Sequence, residues 1–336
     1  LDDKYGFLPL LMPITEPAVG YGAVFGGAFL SKPLSAAPAG LGRPNITAGI
    51  GMATENGSWG AGVSDMRYWL DDRVQTLANV LYADVNLDYY GIGKDSALAD
   101  HPLRYALNPL AVSLQAKYRF GDTRIWGGLN YAFSLTQVSF DASASMAQLP
   151  SFDKSTRIGG LTPLASYDSR DSLFTPLKGT FVELSFGLFG KALGGQNTYE
   201  DAALIAIQYI PLPFNLFLGL RGDAAATFGD APFYVRPFVH MRGVPVMRHQ
   251  GEEIAQGEAE LRWQFWRRFS LVAFGGVGCA WNHFEKFDNS TTVVAGGPGF
   301  RYELARRYGI HMGIDVGFSR DATAIYLQVG NAWMRP

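Results

Sequence analysis

Apolar and polar residues alternate along most of this chain. From Pro109 to Phe120, Val112, Leu114, Ala116, Tyr118 and Phe120 share one face, and Ser113, Gln115, Lys117 and Arg119 share the other. From Glu252 to Trp266, Ala255, Gly257, Ala259, Leu261, Trp263 and Phe265 oppose Gln256, Glu258, Glu260, Arg262 and Gln264. Near the end, Ile310, Met312, Ile314, Val316 and Phe318 oppose His311, Asp315 and Ser319. A period of two is the signature of a strand with two unlike faces.

The polar face separates the candidate classes. It carries charge in strand centres, at Lys117, Glu183, Asp223, Glu258, Glu260 and Asp315. The apolar face carries large residues, with aromatics near strand ends at Tyr89, Phe120, Trp281 and Trp333. Apolar outside, polar inside and long strands suit a transmembrane β-barrel with lipid around it and water within. A soluble sandwich or lipocalin-like barrel also alternates and stays as the alternative. The expected fold is therefore all-β, a transmembrane antiparallel barrel forming a single domain over residues 1–336.

The pattern predicts strands at Phe7–Ile14, Gly20–Leu30, Asn45–Thr54, Ser58–Leu70, Val74–Tyr90, Pro109–Phe120, Arg124–Phe140 and Arg157–Tyr167. The second half adds Thr180–Phe189, Tyr199–Ile210, Leu216–Phe228, Glu252–Trp266, Phe269–Trp281, Val293–Leu304, Ile310–Ser319 and Thr323–Trp333. That makes about sixteen strands. Residues 1–19 hold the least secure one, because Pro9 and Pro13 lack the N–H a paired centre needs. Without it, and with the even number a single-chain barrel requires, the count is fourteen. Glu55-Asn56-Gly57, Gly121-Asp122-Thr123 and Arg320-Asp321 read as short turns on one rim. Ser31–Pro44, Gly91–Asn108, Asp141–Ser155, Gly229–Gly251 and Asn282–Thr292 read as long loops on the other.

Composition agrees with a membrane barrel. The 336 residues are 48% hydrophobic and only 17% charged, against about 25% charged in soluble domains. No run of about 20 apolar residues could form a spanning helix. A net charge of −2 implies no nucleic-acid partner. The lone Cys279 excludes an internal disulfide. The start, LDDKYGF, has no apolar signal region, so an exported protein would have had its signal peptide removed already.

Enzyme chemistry is not evident. The histidines are dispersed, and only His240 and His249 share a loop, so no metal or cofactor is expected. Gly275-Gly276-Val277-Gly278 lies in an alternating strand with no helix after it, which is the wrong setting for a phosphate loop. No Gly-x-Ser-x-Gly elbow occurs.

The segment Ala231–Gly251, APFYVRPFVHMRGVPVMRHQG, is both apolar and basic. It reads at least as a plug packed in the lumen. Its Met241-Arg242-Gly243-Val244-Pro245 resembles the Arg-Gly-aromatic motif in the inward-folded loop of the BamA/TamA superfamily, the bacterial surface antigen family of outer-membrane assembly and two-partner-secretion barrels. Other pieces match in order. Tyr89-Tyr90-Gly91-Ile92-Gly93 resembles an aromatic-Gly segment of that family. Tyr167-Asp168-Ser169-Arg170-Asp171 with Pro176, Lys178 and Gly179 resembles its Asp-x-Arg-Asp turn. Glu260-Leu261-Arg262 matches its Glu-x-Arg strand, and Phe274-Gly275-Gly276-Val277-Gly278 stands where it has Phe-x-Asp-x-Gly. The resemblance runs from about Gly20 to the C-terminus.

The chain departs from the family at Val244, where an aromatic is expected, and at Gly276, where an acid is expected. Only about twenty residues precede the barrel, so it most resembles the branch lacking N-terminal POTRA domains. The resemblance implies that the loop at 229–251 enters the lumen and that Arg242 and Gly243 form its tip. Glu260 is the implied partner of Arg242, with Glu258 and Asp315 as further candidates. Expected partners are outer-membrane lipids and client outer-membrane or secreted proteins. Three functions remain open: a barrel that inserts or transports substrates, a diffusion channel gated by the loop, and a structural or interaction barrel.

Overall fold

A computed structural model describes residues 5–31, 45–91, 98, 101–140, 152–283, 290–305 and 309–334. Much of the expected loops Ser31–Pro44, Gly91–Asn108, Asp141–Ser155 and Asn282–Thr292 lies outside the described residues.

The strands are β1 (Tyr5–Glu16), β2 (Gly20–Ser31), β3 (Asn45–Thr54), β4 (Trp59–Trp69), β5 (Val74–Tyr89), β6 (Leu103–Arg119), β7 (Ile125–Phe140) and β8 (Phe152–Asp168). They continue as β9 (Gly179–Phe189), β10 (Tyr199–Leu212), β11 (Leu216–Gly229), β12 (Glu253–Trp266), β13 (Phe269–Trp281), β14 (Thr291–Ala305), β15 (Ile310–Ser319) and β16 (Thr323–Val329). They form one 16-stranded antiparallel meander in chain order. The sheet curls until β1 and β16 lie side by side, giving a nearly closed barrel. Fourteen strands is thus the wrong count. β1 is a strand despite its prolines, paired with β2 from Tyr5↔Ser31 to Glu16↔Gly20.

Alternation sets the facing. Phe25, Val63, Val80, Leu114, Leu184, Leu261, Ile314 and Ile325 are exposed on the outside. In water such a surface would be a large apolar patch, and lipid removes that penalty. The inward charges are not bathed in water as the alternation alone suggests. Lys117, Glu258, Arg301 and Asp315 are all buried, each against an oppositely charged lumen side chain.

Some boundaries differ from the alternation pattern. β6 begins at Leu103, with Pro109 inside it. The β5–β6 register passes from Tyr82↔Leu110 to Val85↔Leu107. The register is the same on both sides, and the two positions left out of the ladder fall at Asn108–Pro109, where a missing N–H does the least harm. β16 stops at Val329. The chain leaves the wall at Gly330, whose φ of 83° suits glycine. Trp333 is then buried inside, with Tyr209, rather than facing lipid. Tyr89 also points inward, with Leu87 and Tyr105. At this end of the wall the apolar face turns to the lumen and packs on a loop.

The rims also need correction. In an antiparallel meander successive links alternate between rims. The rim carrying the link at 230–252 also carries the short turns 17–19, 55–58 and 320–322. The opposite rim carries 70–73, 120–124, 213–215 and the longer link 169–178. Link length did not sort the rims, since both carry short and long connections.

Candidate functional site

The link between β11 and β12 folds into the barrel. Pro232 and Gly229 direct it inward: Gly229 has φ 86°, and a short 3-10 turn follows at Phe233–Val235. An apolar core fixes it. Val239, Met241 and Val244 of the loop pack on Ile254, Ala280, Val293 and Ala295 of the wall. Phe233 and Met247 join a second cluster with Leu87, Tyr105 and Val138. Burying these side chains offsets the entropy lost in ordering a long loop. Val244, at 1% exposure, fills a niche lined by aliphatic residues, which explains why the family's aromatic can be absent.

At the tip Arg242 is buried among carboxylates. One terminal nitrogen donates to Asp315 Oδ2 at 2.7 Å. Glu260 Oε2 lies at the same 2.7 Å, but off the hydrogen-bond direction, so Glu260 acts as a charge partner. The guanidinium stacks over Phe274, 3.7 Å from the ring centre. Asp315 is 0% exposed and is shared with Arg301, whose nitrogens reach it at 2.5 and 2.8 Å. Glu258 takes a different partner set. It accepts from Arg221 at 2.8 Å and from the Trp333 indole at 3.0 Å. Arg221 also pairs with Asp223. The structure thus brings together Arg242, Gly243, Glu260 and Asp315, with Glu258 one step removed. Burying an unpaired charge costs several kcal/mol, and Arg242, Arg301, Arg221, Asp315 and Glu258 each meet an opposite charge.

Gly243 is the tip's contact with the wall. Its φ of 93° places it in the left-handed region. A Cβ there would lie 2.7 Å from the Phe318 nitrogen, so only glycine lets the two backbones meet. Its N–H donates to Tyr326 Oη at 2.9 Å, and its carbonyl accepts from Ser319 Oγ at 2.6 Å.

Gly276 leaves no room for the acid the family has there. A Cβ would stand 2.5 Å from the Gly257 carbonyl and 2.7 Å from Glu258 Cγ, with Met241 Sδ at 3.1 Å. The second acid comes instead from Asp315 on β15. Sequence reasoning missed Arg301, Arg221, Phe274, Tyr326 and Trp333. The inward parity of Arg301 and Arg221 was a readable signal. The partners of Tyr326 and Trp333 depend on long-range closure that no local pattern carries.

Two of the scattered motifs meet this loop. Tyr89 packs on Phe233 at 4.7 Å between ring centres, and Tyr90 lies under Arg248 at 3.7 Å. Gly278 makes space for Val239. The Asp168–Lys178 link serves its own rim. Arg170 pairs with Asp168 at 2.9 and 3.0 Å and stacks on Phe181, while Asp171 caps the Leu177 and Lys178 amides. His249 and His240 part company: His249 Nε2 meets Asp321 at 2.7 Å, and the His240 amide donates to Gln256. Among the described residues no group of His, Cys, Asp and Glu is arranged to hold a metal ion.

Comparison with known proteins follows this geometry. The structure of BamA from Haemophilus ducreyi lacking POTRA domains 1–3 superposes with a TM-score of 0.60 at 12% identity, covering 98% of this chain and 69% of that one. CdiB from Acinetobacter baumannii gives 0.61 at 8% identity, covering 98% of this chain and 60% of that one. At such identities the likeness is one of fold. No curated protein sequence matches the chain. The Omp85 superfamily domain matches residues 41–318, a span that includes the Arg242 loop and its partners on β12 and β15, and the chain belongs to that superfamily.

Proposed function

We propose that this is a bacterial outer-membrane barrel of the assembly and translocation type, which helps protein substrates enter or cross the membrane at the junction of β1 and β16. The observation that carries this reading is the seam. Every other neighbouring strand pair is joined by a ladder, whereas β1 and β16 adjoin with no strand register among the described residues. A full ladder would leave no unpaired edge in hydrocarbon. A weak one leaves an edge that an incoming strand can use. β16 is only seven residues long, against twelve for β1, and Pro9 and Pro13 remove donors from β1. The names of the structural neighbours and the superfamily support the same reading. The loop that enters the lumen favours it over an open diffusion channel.

The test is reconstitution into phospholipid vesicles with an unfolded outer-membrane barrel as client. Cysteine pairs placed across Tyr5–Glu16 and Thr323–Val329 are oxidised to close the seam. Client folding should speed up with the open seam, fall to the protein-free rate when the seam is closed, and recover on reduction. Equal folding rates with the seam open and closed would remove this reading. Conductance of a loop-deleted variant then reports whether the barrel is a gated channel.

A further inference from the structure

The loop that fills the lumen also touches both sides of the seam. On one side, Gly243 N–H donates to Tyr326 Oη on β16 at 2.9 Å. Its carbonyl accepts from Ser319 Oγ at the end of β15. The neighbouring Arg242 grips Asp315, which stands directly opposite Tyr326 in the β15–β16 register. Arg248 and His249 reach Asp321 in the turn joining those strands, at 3.6 and 2.7 Å. On the other side, Val246 N–H donates to Glu16 Oε1 at 3.0 Å, and Glu16 is the last residue of β1. Ala18 and Val19 of the following turn pack on the cluster containing Met247 and Val246. Between Gly243 and Val246 the loop advances only three residues, yet it passes from a hydrogen bond with β16 to one with β1.

We propose that the segment Arg242–His249 is a strap across the loop-bearing end of the seam, holding β1 against β16 through side-chain contacts where the described residues form no strand ladder. The strap sits at the rim that carries the loop. Among the described residues the opposite end of the seam has no such tie from β16 itself, because the chain turns inward at Gly330, where its N–H donates to His311 O and Trp333 enters the lumen. A seam strapped at one end and unpaired at the other opens from the Gly330 end first, and opens fully only when the loop lets go. The geometry of Val246, Glu16, Gly243 and Tyr326 carries this inference, and it holds whether or not the barrel handles protein clients.

Hydrogen exchange of the protein in lipid nanodiscs tests it, with β6 and β7 amides as the internal reference. Tyr326→Phe removes only the hydroxyl that receives Gly243. Glu16→Ala removes the acceptor of Val246, and Glu16→Gln keeps an acceptor oxygen. The strap predicts that Glu16→Ala and Tyr326→Phe each speed exchange in Tyr5–Glu16 by about fivefold or more, the factor a lost kcal/mol gives, with Glu16→Gln close to wild type. It also predicts that wild-type β1 amides exchange faster toward Tyr5 than toward Glu16. Should Glu16→Ala fail to fold, Tyr326→Phe and the wild-type gradient still decide. The proposal falls if the loop amides exchange faster in the variants while β1 stays as in wild type. It falls equally if neither region changes, or if the gradient along β1 runs the other way.

Discussion

Arg242 and Asp315 meet at 2.7 Å inside the barrel, one on an entering loop and the other on the wall strand β15. Asp315 is fully buried and is held from its other side by Arg301. Because one carboxylate serves two guanidiniums, the partners are not equivalent. Loss of Arg242 leaves Asp315 with Arg301. Loss of Asp315 takes the carboxylate from buried Arg301 and leaves buried Arg242 with Glu260 alone.

Removal of one partner from a buried pair typically costs about 3–5 kcal/mol. Asp315→Ala should therefore damage the barrel more than Arg242→Ala, lowering the temperature at which the heat-modifiable band is lost on electrophoresis. Arg242→Ala should chiefly loosen the loop, read as faster protease cleavage within 229–251 and higher ion conductance. Glu260→Ala should act in the same direction, and the double change with Arg242→Ala should be less than additive, since both remove one contact. Strictly additive effects would mean that Glu260 and Arg242 do not act on each other.

Gly276→Asp restores the acid that the family has on β13, and it should not strengthen the loop. Its Cβ would clash with the Gly257 carbonyl at 2.5 Å and with Glu258 Cγ at 2.7 Å. Overpacking of this kind commonly costs about 1–3 kcal/mol. The expected result is a lower yield of folded barrel and an earlier thermal transition, partly relieved by Glu258→Ala, because the side chain can yield and the backbone carbonyl cannot. A gain in stability from Gly276→Asp alone would show that the wall rearranges to accept the acid.

Much of the barrel was legible in the chain because lipid and lumen impose a period of two on every spanning strand. The facing of Leu114, Leu261 and Ile314 follows from that period alone. Pro9 and Pro13 clouded β1, since sequence does not reveal that its poorly paired edge is the seam. Tyr89 and Trp333 were misread as lipid-facing for a related reason. Where the wall meets a packed loop or the chain turns inward, an aromatic finds an apolar partner inside, and local alternation is blind to it. Arg242, Gly243 and Glu260 were readable from motif resemblance. Asp315 was a further candidate through its inward parity, whereas the contacts of Tyr326 and Glu16 depend on how the meander closes, which no window of sequence contains.

The two faces of β12 should respond oppositely to charge. Leu261 is exposed on the outer face, paired beside Leu218 and Ala273. Gln264 is half-buried on the inner face near the β12–β13 turn. An arginine at the bilayer midplane costs roughly 2–4 kcal/mol and less near the interface. Leu261→Arg should reduce folding into vesicles, and Gln264→Arg should fold nearly as wild type. Equal folding of both would invert or erase the facing of β12.

The docking of the loop should weaken in mild acid through His249. Burial holds its imidazole below the ordinary value of about 6.5, against the pull of Asp321, and Arg320 and Arg248 push in the same direction as burial. Neutral His249 can donate from Nε2 to Asp321 at 2.7 Å. A group whose pKa is lowered in the folded protein binds fewer protons there than when released. Its contribution is therefore complete above the released-state pKa and declines as pH falls through the folded-state value. Loop docking should be firm at about pH 8 and looser at about pH 5, with protection of 229–251 from an acid-tolerant protease falling between them. Glutamine in place of His249 can still donate to Asp321 but does not titrate. His249→Gln should therefore flatten that part of the pH profile while leaving the profile of the β6–β7 region unchanged. If His249→Gln loses loop protection between these pH values as steeply as wild type, the proton goes elsewhere, and His249 has no part in the acid response.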